Sequence, residues 1–495
     1  MELDKSKNIL GIIFFALSLA ILIYMFLTPL NHVIIHGDEY YTFSLAHLPV
    51  KDLITVTAND VHPPLHYLMC KVVLKLGAMF NIEELYSLKL LSIVPYIIIL
   101  AISATKIRKE YDLFTAGLFS FSLVVMTEFF KYYLTVRMYS WGILFVLLTF
   151  IYAKEIITES RKRSWFLLTA FAVLSAYTHY FAAMTAGIIY LILLAYIIAY
   201  KRELLEYWAI STLDAIVLYV PWLFALITQL VNVHDSYWIP QVNLKIALLS
   251  LGYFAYNEEV IFSVISLFIL AVILAGYIKY SQDQDMKDHF NNLSGFGVYF
   301  GTIALVIIIS YVFKPILVIR YLLPAVAALW LSISIIVGKI ENKKMFIISM
   351  VLICLLIASG MASIITSIDP LYKSGMAQKE VIDNITQNND TIAIIVGHDA
   401  IMYFLNFAKD SDMYCMKTDW LFGEDGERLH LLYNFTDYNK SDVDKVILNN
   451  TDKEIYVISW KDPKLNVTTT TIDRGNNFVF SKVNTTGLKK INSTI

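Results

Sequence analysis

The chain has 495 residues, of which 58% are hydrophobic and only 16% charged, and its net charge is −2. Mean hydropathy is +0.62. That balance excludes a water-soluble enzyme of this size and gives no electrostatic case for nucleic acid as a partner. Repeated apolar runs of about 18 or more residues predict a polytopic α-helical membrane protein in a lipid bilayer.

The first apolar run, near 8–30, follows Lys5 and Lys7 as a signal peptide would. It continues past Tyr24 without a small-residue cleavage site, so a retained first helix is expected. A polar loop, 31–62, comes next. It carries two islands, His36-Gly37-Asp38-Glu39-Tyr40-Tyr41 and Asn59-Asp60-Val61-His62-Pro63-Pro64-Leu65-His66-Tyr67. Carboxylates and histidines beside a membrane are expensive to desolvate and point to chemistry or ion handling.

Further apolar segments fall near 65–80, 87–105, 113–133, 138–155, 164–180, 184–200, 208–230, 259–280, 295–313, 321–338 and 344–366, with a weak one near 244–256. The segment 65–80 carries Lys71 and Lys75 behind two prolines and reads as a short interfacial or re-entrant piece. The expected total is 11–13 spans. Basic clusters at Lys106-Ile107-Arg108-Lys109, Arg161-Lys162-Arg163, Lys201-Arg202 and Lys343-Lys344 place those loops in the cytoplasm. The N-terminus is then cytoplasmic, and residues 31–62 and the C-terminus are extracytoplasmic.

Composition changes abruptly at 368. A membrane domain over 1–367 and a small C-terminal extracytoplasmic α/β domain over 368–495 are expected. Segments 391–397 and 455–460 read as buried strands, and 371–386 and 399–408 as helices. Sequons at Asn384, Asn389, Asn434, Asn439, Asn449, Asn466, Asn484 and Asn492, against Asn292 alone elsewhere, suit a surface facing a glycosylation compartment, although a tail rich in Asn and Thr makes some by chance. Cys70, Cys354 and Cys415 are too few and too scattered for a disulfide framework or a cysteine metal cluster.

This topology gathers acids, bases and cations on one membrane face. Asp38, Glu39, Asp60 and His62 come from the first loop. Arg137, His179, the group His234, Asp235, Tyr237 and Trp238, and Lys314, Arg320 and Tyr321 come from later turns. Cations suit an anionic headgroup and aromatic rings suit a sugar, so the patch reads as an active site for a lipid-phosphate substrate. Arg320 could equally snorkel at the interface, and His179 could be a satisfied core histidine. Lys131, Tyr132, Tyr133, Tyr237 and Trp238 read as an interfacial belt, and His398-Asp399 as an ordinary helix cap.

Asp38-Glu39 followed by Asp60-Val61-His62-Pro63-Pro64-Leu65 resembles the GT-C superfamily of membrane glycosyltransferases. The nearest group is that of the protein O-mannosyltransferases and the aminoarabinose-transferase-like enzymes. Arg137-Met138-Tyr139, Tyr177-Thr178-His179-Tyr180, Pro221-Trp222 and Arg320-Tyr321 also resemble patterns of that group. The resemblance covers about residues 8–340.

It implies an inverting glycosyltransferase that moves a sugar from a polyprenyl-phosphate carrier to an acceptor hydroxyl on the extracytoplasmic face. The acceptor is a protein, a lipid or a glycan. Asp38 is the implied base. Glu39 and Asp60 position the acceptor or a metal. His62, Arg137, His179, Arg320 and Tyr321 bind the donor or its phosphate. The aminoarabinose-transferase-like enzymes often have a lysine where His62 stands, and His62 instead follows the O-mannosyltransferase pattern. No cofactor is required by the sequence. A divalent metal stays open, with Asp38, Glu39 and His62 as available ligands. The rival readings are a transporter or flippase of polyprenyl-linked glycans, against which stands the absence of an internal repeat, and a non-catalytic membrane binding protein.

Overall fold

A computed structural model describes residues 2–27, 30, 38–232, 239–255, 259–281, 284–364, 366, 391–396, 412–416, 435–459, 465, 467–474, 479–486 and 488. Contacts divide the chain into two units. One comprises Met1–Asn31 and Lys51–Ser367, the other His32–Val50 and Ile368–Ile495.

The first unit is helical. It begins with α1 (Glu2–Leu27), and its other helices follow in chain order. After α2 (Asp38–His47), which belongs to the other unit, come α3 (Val50–Ala58), α4 (Leu65–Met79) and α5 (Glu84–Ile102). A π-helical turn, Ser103–Ile107, joins α5 to α6 (Arg108–Glu110). Then come α7 (Leu113–Val125), α8 (Thr127–Leu134), α9 (Tyr139–Glu159), α10 (Lys162–Thr178), α11 (Tyr180–Tyr200) and α12 (Leu205–Asn232). The series ends with α13 (Leu244–Gly252), α14 (Val260–Tyr280), α15 (Met286–Val312), α16 (Leu323–Gly338) and α17 (Lys343–Ser363).

Short polar side chains set several starts. Asp112 accepts from the Thr115 N–H, Asp285 from Asp288 and Asn342 from Met345, so orphan donors of the first turn are satisfied. Small residues let helices approach. A Cβ at Gly11 would lie 2.6 Å from the Leu113 carbonyl oxygen, and one at Gly117 would collide with the Gly11 carbonyl. One face of α1 therefore seats on α7 as membrane helices do, by backbone proximity rather than by apolar transfer.

Among the described residues nine helices are long and apolar enough to cross a membrane, or up to ten if α7 and Glu128–Leu134, bent by 73°, form one span. The expectation of 11–13 was higher because three of its twelve main segments fold differently. The segment 113–133 is that bent pair. The segment 65–80 is the 15-residue α4, and 164–180 is the 17-residue α10, which starts at Lys162 and is stopped by the extended backbone of His179. The weak segment 244–256 is also a short apolar helix, Leu244–Ala255. A 15-residue helix rises about 22 Å, short of the roughly 30 Å of bilayer hydrocarbon.

In the second unit the residues 371–386 and 399–408, expected as helices, lie outside the described residues, as does His398-Asp399. The strands expected at 391–397 and 455–460 are present as β1 (Thr391–Val396) and β4 (Glu454–Ser459). With β2 (Asp412–Met416), β3 (Thr436–Tyr438), β5 (Thr469–Arg474) and β6 (Val479–Val483) they form a six-stranded sheet of order β3-β2-β1-β4-β6-β5. The first four are parallel to their neighbours, whereas β6 runs antiparallel to β4 and to β5. β1 and β4 are near-continuous apolar runs because a parallel strand is covered on both faces. Ile392, Ile394, Ile455 and Val457 form the core with Ile447 of a short helix, α18 (Val443–Asn449).

Candidate active site

Four turns of the first unit bring together residues far apart in sequence. After α3, residues 59–64 carry Asp60 and His62 into the rigid Pro63-Pro64 step, and His62, Pro63 and Pro64 are buried. Between α8 and α9 the Arg137 N–H donates to the Thr135 carbonyl at 2.8 Å, a tight turn that buries the Arg137 side chain. His179 is the single extended residue between α10 and α11. The 3-10 turn Ile319–Leu322 presents Arg320 and Tyr321, both half-buried.

The side chains meet. Arg137 Nη2 donates to His62 Nε2 at 3.2 Å, and Arg320 Nε donates to Tyr139 Oη at 3.2 Å. The His62 and His179 rings are 5.6 Å apart between centroids. His179 stands edge-on to Tyr321 at 4.9 Å, and Tyr139 stacks on Tyr321 at 6.1 Å. Tyr132 closes the group from α8, 4.4 Å from the Tyr139 ring. The Arg320 guanidinium lies 5.6 Å from the Tyr321 centroid, within cation–π range.

Hydrogen bonding fixes the protons. A guanidinium only donates, so His62 Nε2 accepts and the ring is neutral with its proton on Nδ1. His179 caps α11, its Nδ1 accepting from the Phe181 N–H at 3.2 Å. Its proton therefore sits on Nε2, which is buried without a hydrogen-bond partner among the described residues. Such an orphan donor costs about 1–3 kcal/mol. Burial, then the guanidinium of Arg137 with His179 and Arg320 beside it, hold His62 well below the ordinary histidine range. Burial, then Arg137 and Arg320, bring His179 down to about 3. His66, in the first turn of α4 and 3.6 Å from Cys70 Sγ, is likewise lowered to about 3 by burial and Arg137. The geometry is that of an anion cradle: two guanidiniums and a neutral N–H donor on a floor of tyrosine rings.

Of the residues expected at the site, the structure unites His62, Arg137, His179, Arg320 and Tyr321. Asp60 is half-buried in the same loop as His62, and Lys314 is half-buried in the turn after α15. Asp38 and Glu39 open α2 in the second unit, Asp38 exposed and Glu39 buried. His36, His234, Asp235, Tyr237 and Trp238 lie outside the described residues. Tyr132, read as a belt residue, belongs to the cradle. Tyr139 bonds Arg320, a role its place in Arg137-Met138-Tyr139 could have suggested.

Among the described residues no three His, Cys, Asp or Glu side chains converge on one point. His62 does not fit as a ligand here, because Nε2 is bonded to Arg137 and two guanidiniums oppose another cation at the ring.

No family model matches the chain, and no curated protein matches its sequence. Solved structures do. ArnT, the aminoarabinose transferase of Cupriavidus metallidurans, superposes in the apo state with a TM-score of 0.58 at 11% identity, covering 95% of this chain and 97% of that one. Its complex with undecaprenyl phosphate gives 0.58 at 12% identity over the same shares. The chain has the fold of ArnT. The oligosaccharyltransferase of Archaeoglobus fulgidus, solved with Zn and sulfate, matches with a TM-score of 0.46 at 14% identity over 91% of this chain and 67% of that one. The ArnT fold suits a cluster assembled at inter-helix turns, since long helices fix where their connections meet.

Proposed function

We propose that the protein is an inverting membrane glycosyltransferase that takes a sugar from a polyprenyl-phosphate carrier and passes it to an acceptor hydroxyl. The observation that carries this reading is the cradle in which buried Arg137, His62, His179 and Tyr139 meet half-buried Tyr321 and Arg320. In a fold shared with a protein solved bound to undecaprenyl phosphate, the ligand matching its charge and depth is the carrier's phosphate.

Asp38, at the exposed first turn of α2, takes the acceptor proton as the hydroxyl oxygen attacks the anomeric carbon. The bond from that carbon to the phosphate oxygen breaks, and polyprenyl phosphate leaves with the electron pair. Arg137 and Arg320 hold the departing anion, His179 Nε2–H donates to it, and Tyr321 and Tyr139 present ring faces to the sugar. Neutral His62 orients Arg137 through its Nε2. Glu39 and Asp60 position the acceptor.

The gathering of Lys106, Lys154 and Lys201 at the end of α9 opposite the cradle supports cytoplasmic placement of that end. The cradle and residues 368–495 are then extracytoplasmic, and the C-terminal domain binds or shields the acceptor. Asp38→Asn tests the assignment: transfer is lost while the melting temperature is kept. Near-normal transfer by that variant would overturn it.

A further inference from the structure

One polar side chain outside the cradle ties two of its turns together. Gln229 lies near the end of α12, on a helix whose long apolar stretch is mostly uncovered by protein, yet its own side chain is buried. Its Nε2 donates to the Thr57 carbonyl at 2.9 Å and to the Ala58 carbonyl at 3.2 Å. Its Oε1 accepts from the Tyr180 hydroxyl, which in turn accepts from Trp222 Nε1 at 3.1 Å. Both Gln229 amide hydrogens, its amide oxygen and the Tyr180 hydroxyl are therefore all engaged.

Both ends of the relay touch the chain next to a cradle histidine. The Thr57 carbonyl also accepts from the Asp60 N–H at 3.2 Å, so Gln229 occupies the second lone pair of the oxygen that sets Asp60. His62 follows two residues later. Tyr180 follows His179 directly and opens α11. The segments bearing His62 and His179 are far apart in sequence, and their rings lie 5.6 Å apart.

We infer that Gln229 is a positioning residue, which sets the spacing of the His62 and His179 segments by tying the end of α3 to the start of α11. The inference rests on the proposed transfer reaction for its kinetic consequence but not for its structural one. A carboxamide is needed because it both donates and accepts. Glutamate keeps the acceptor for Tyr180 and loses the donors to Thr57 and Ala58. Leucine fills the space and loses both.

Hydrogen exchange of the full-length protein in nanodiscs tests the role directly. In Gln229→Leu, the amides of Asn59 and Asp60 exchange at least about tenfold faster, and those of α16 are unchanged. Gln229→Glu gives the same acceleration at residues 59–60 while keeping Tyr180 bonded. Transfer falls about 10- to 100-fold in kcat with KM for the lipid donor unaltered, the scale expected when reacting groups drift by about 1 Å. Unchanged exchange at residues 59–60 in folded Gln229→Leu, or an equal rise over the whole of α12 and α16, would overturn the inference. Wild-type protein without transfer would overturn the proposed reaction, and the exchange result would still decide the role of Gln229.

Discussion

The two ends of α9 treat their cations in different ways. At the Glu159 end the lysines cap and bridge. Lys154 Nζ donates to the Asn291 carbonyl at 2.6 Å and to its Oδ1 at 2.8 Å, and Lys201 Nζ to the Ile157 carbonyl at 2.7 Å. Lys7 Nζ reaches the Gly338 and Ile340 carbonyls at 2.7 and 3.0 Å, where α16 ends. Lys106 pairs with Glu155, which Ser164 also bonds. Lys7 and Lys201 satisfy carbonyls that helix ends leave open, and Lys106 and Lys154 bridge neighbouring elements, so all four belong to the architecture. At the Tyr139 end Arg137 donates to a neutral imidazole and Arg320 to a phenol. The field of both guanidiniums reaches the buried histidines beside them and helps hold His62 and His179 below the ordinary histidine range. One end sets its cations on helix ends and a carboxylate, and the other sets them among histidine and tyrosine rings.

That contrast can be broken or sharpened by substitution at each end. The largest effect is expected at Asp38: Asp38→Asn lowers the transfer rate by about 10²–10⁴-fold in a labelled-sugar assay, the usual contribution of a general base, with melting unchanged. Next, Arg137→Gln and Arg320→Gln each weaken undecaprenyl phosphate binding by about 10- to 100-fold in a nanodisc titration, since hydrogen bonds to a charged group contribute roughly 1.5–3 kcal/mol. Equal weakening by Lys201→Met at the opposite end would erase the distinction.

A third test uses pH. His62, His66 and His179 have native pKa values below the unfolded one, so the unfolded chain binds more protons across that interval. Stability from these groups is complete above about pH 6.5 and falls as pH drops, for His66 and His179 toward about 3, by at most about 1.4 kcal/mol per unit for each histidine. His179→Asn makes the slope of unfolding free energy against pH shallower, and an unchanged slope would show that His179 is not buried neutral. The smallest effect is at the lysine end. Lys201→Met costs roughly 1 kcal/mol of stability, read by thermal melting, and leaves phosphate binding as it was.

Much of this was readable in the sequence. Long apolar runs become the long helices because a bilayer admits few other solutions. The strands β1 and β4 stood out because buried parallel strands are short unbroken runs of Ile and Val. The motifs around His62, Arg137, His179 and Arg320 marked four turns that do converge. Other features depend on partners that local pattern does not reveal. The 73° bend after α7 follows no proline, and Gly360 of α17 lies against the Val125 carbonyl at that break. Residues 32–50 group by contact with the C-terminal residues, which no composition boundary announces. Gln229 is a single amide in an apolar helix, and its partners at Thr57 and Ala58 are 172 and 171 residues away.

The most direct measurement of the central claim is donor turnover. Purified protein is incubated with labelled polyprenyl-phosphate sugars, and release of free polyprenyl phosphate is followed for the wild type and for Asp38→Asn, Arg320→Gln and Lys201→Met. The account predicts release from at least one donor, with inversion at the anomeric carbon. Release should be abolished in Asp38→Asn, strongly reduced in Arg320→Gln and unchanged in Lys201→Met. Release that ignores Asp38 and Arg320, or no turnover of any donor by the folded wild type, would contradict it.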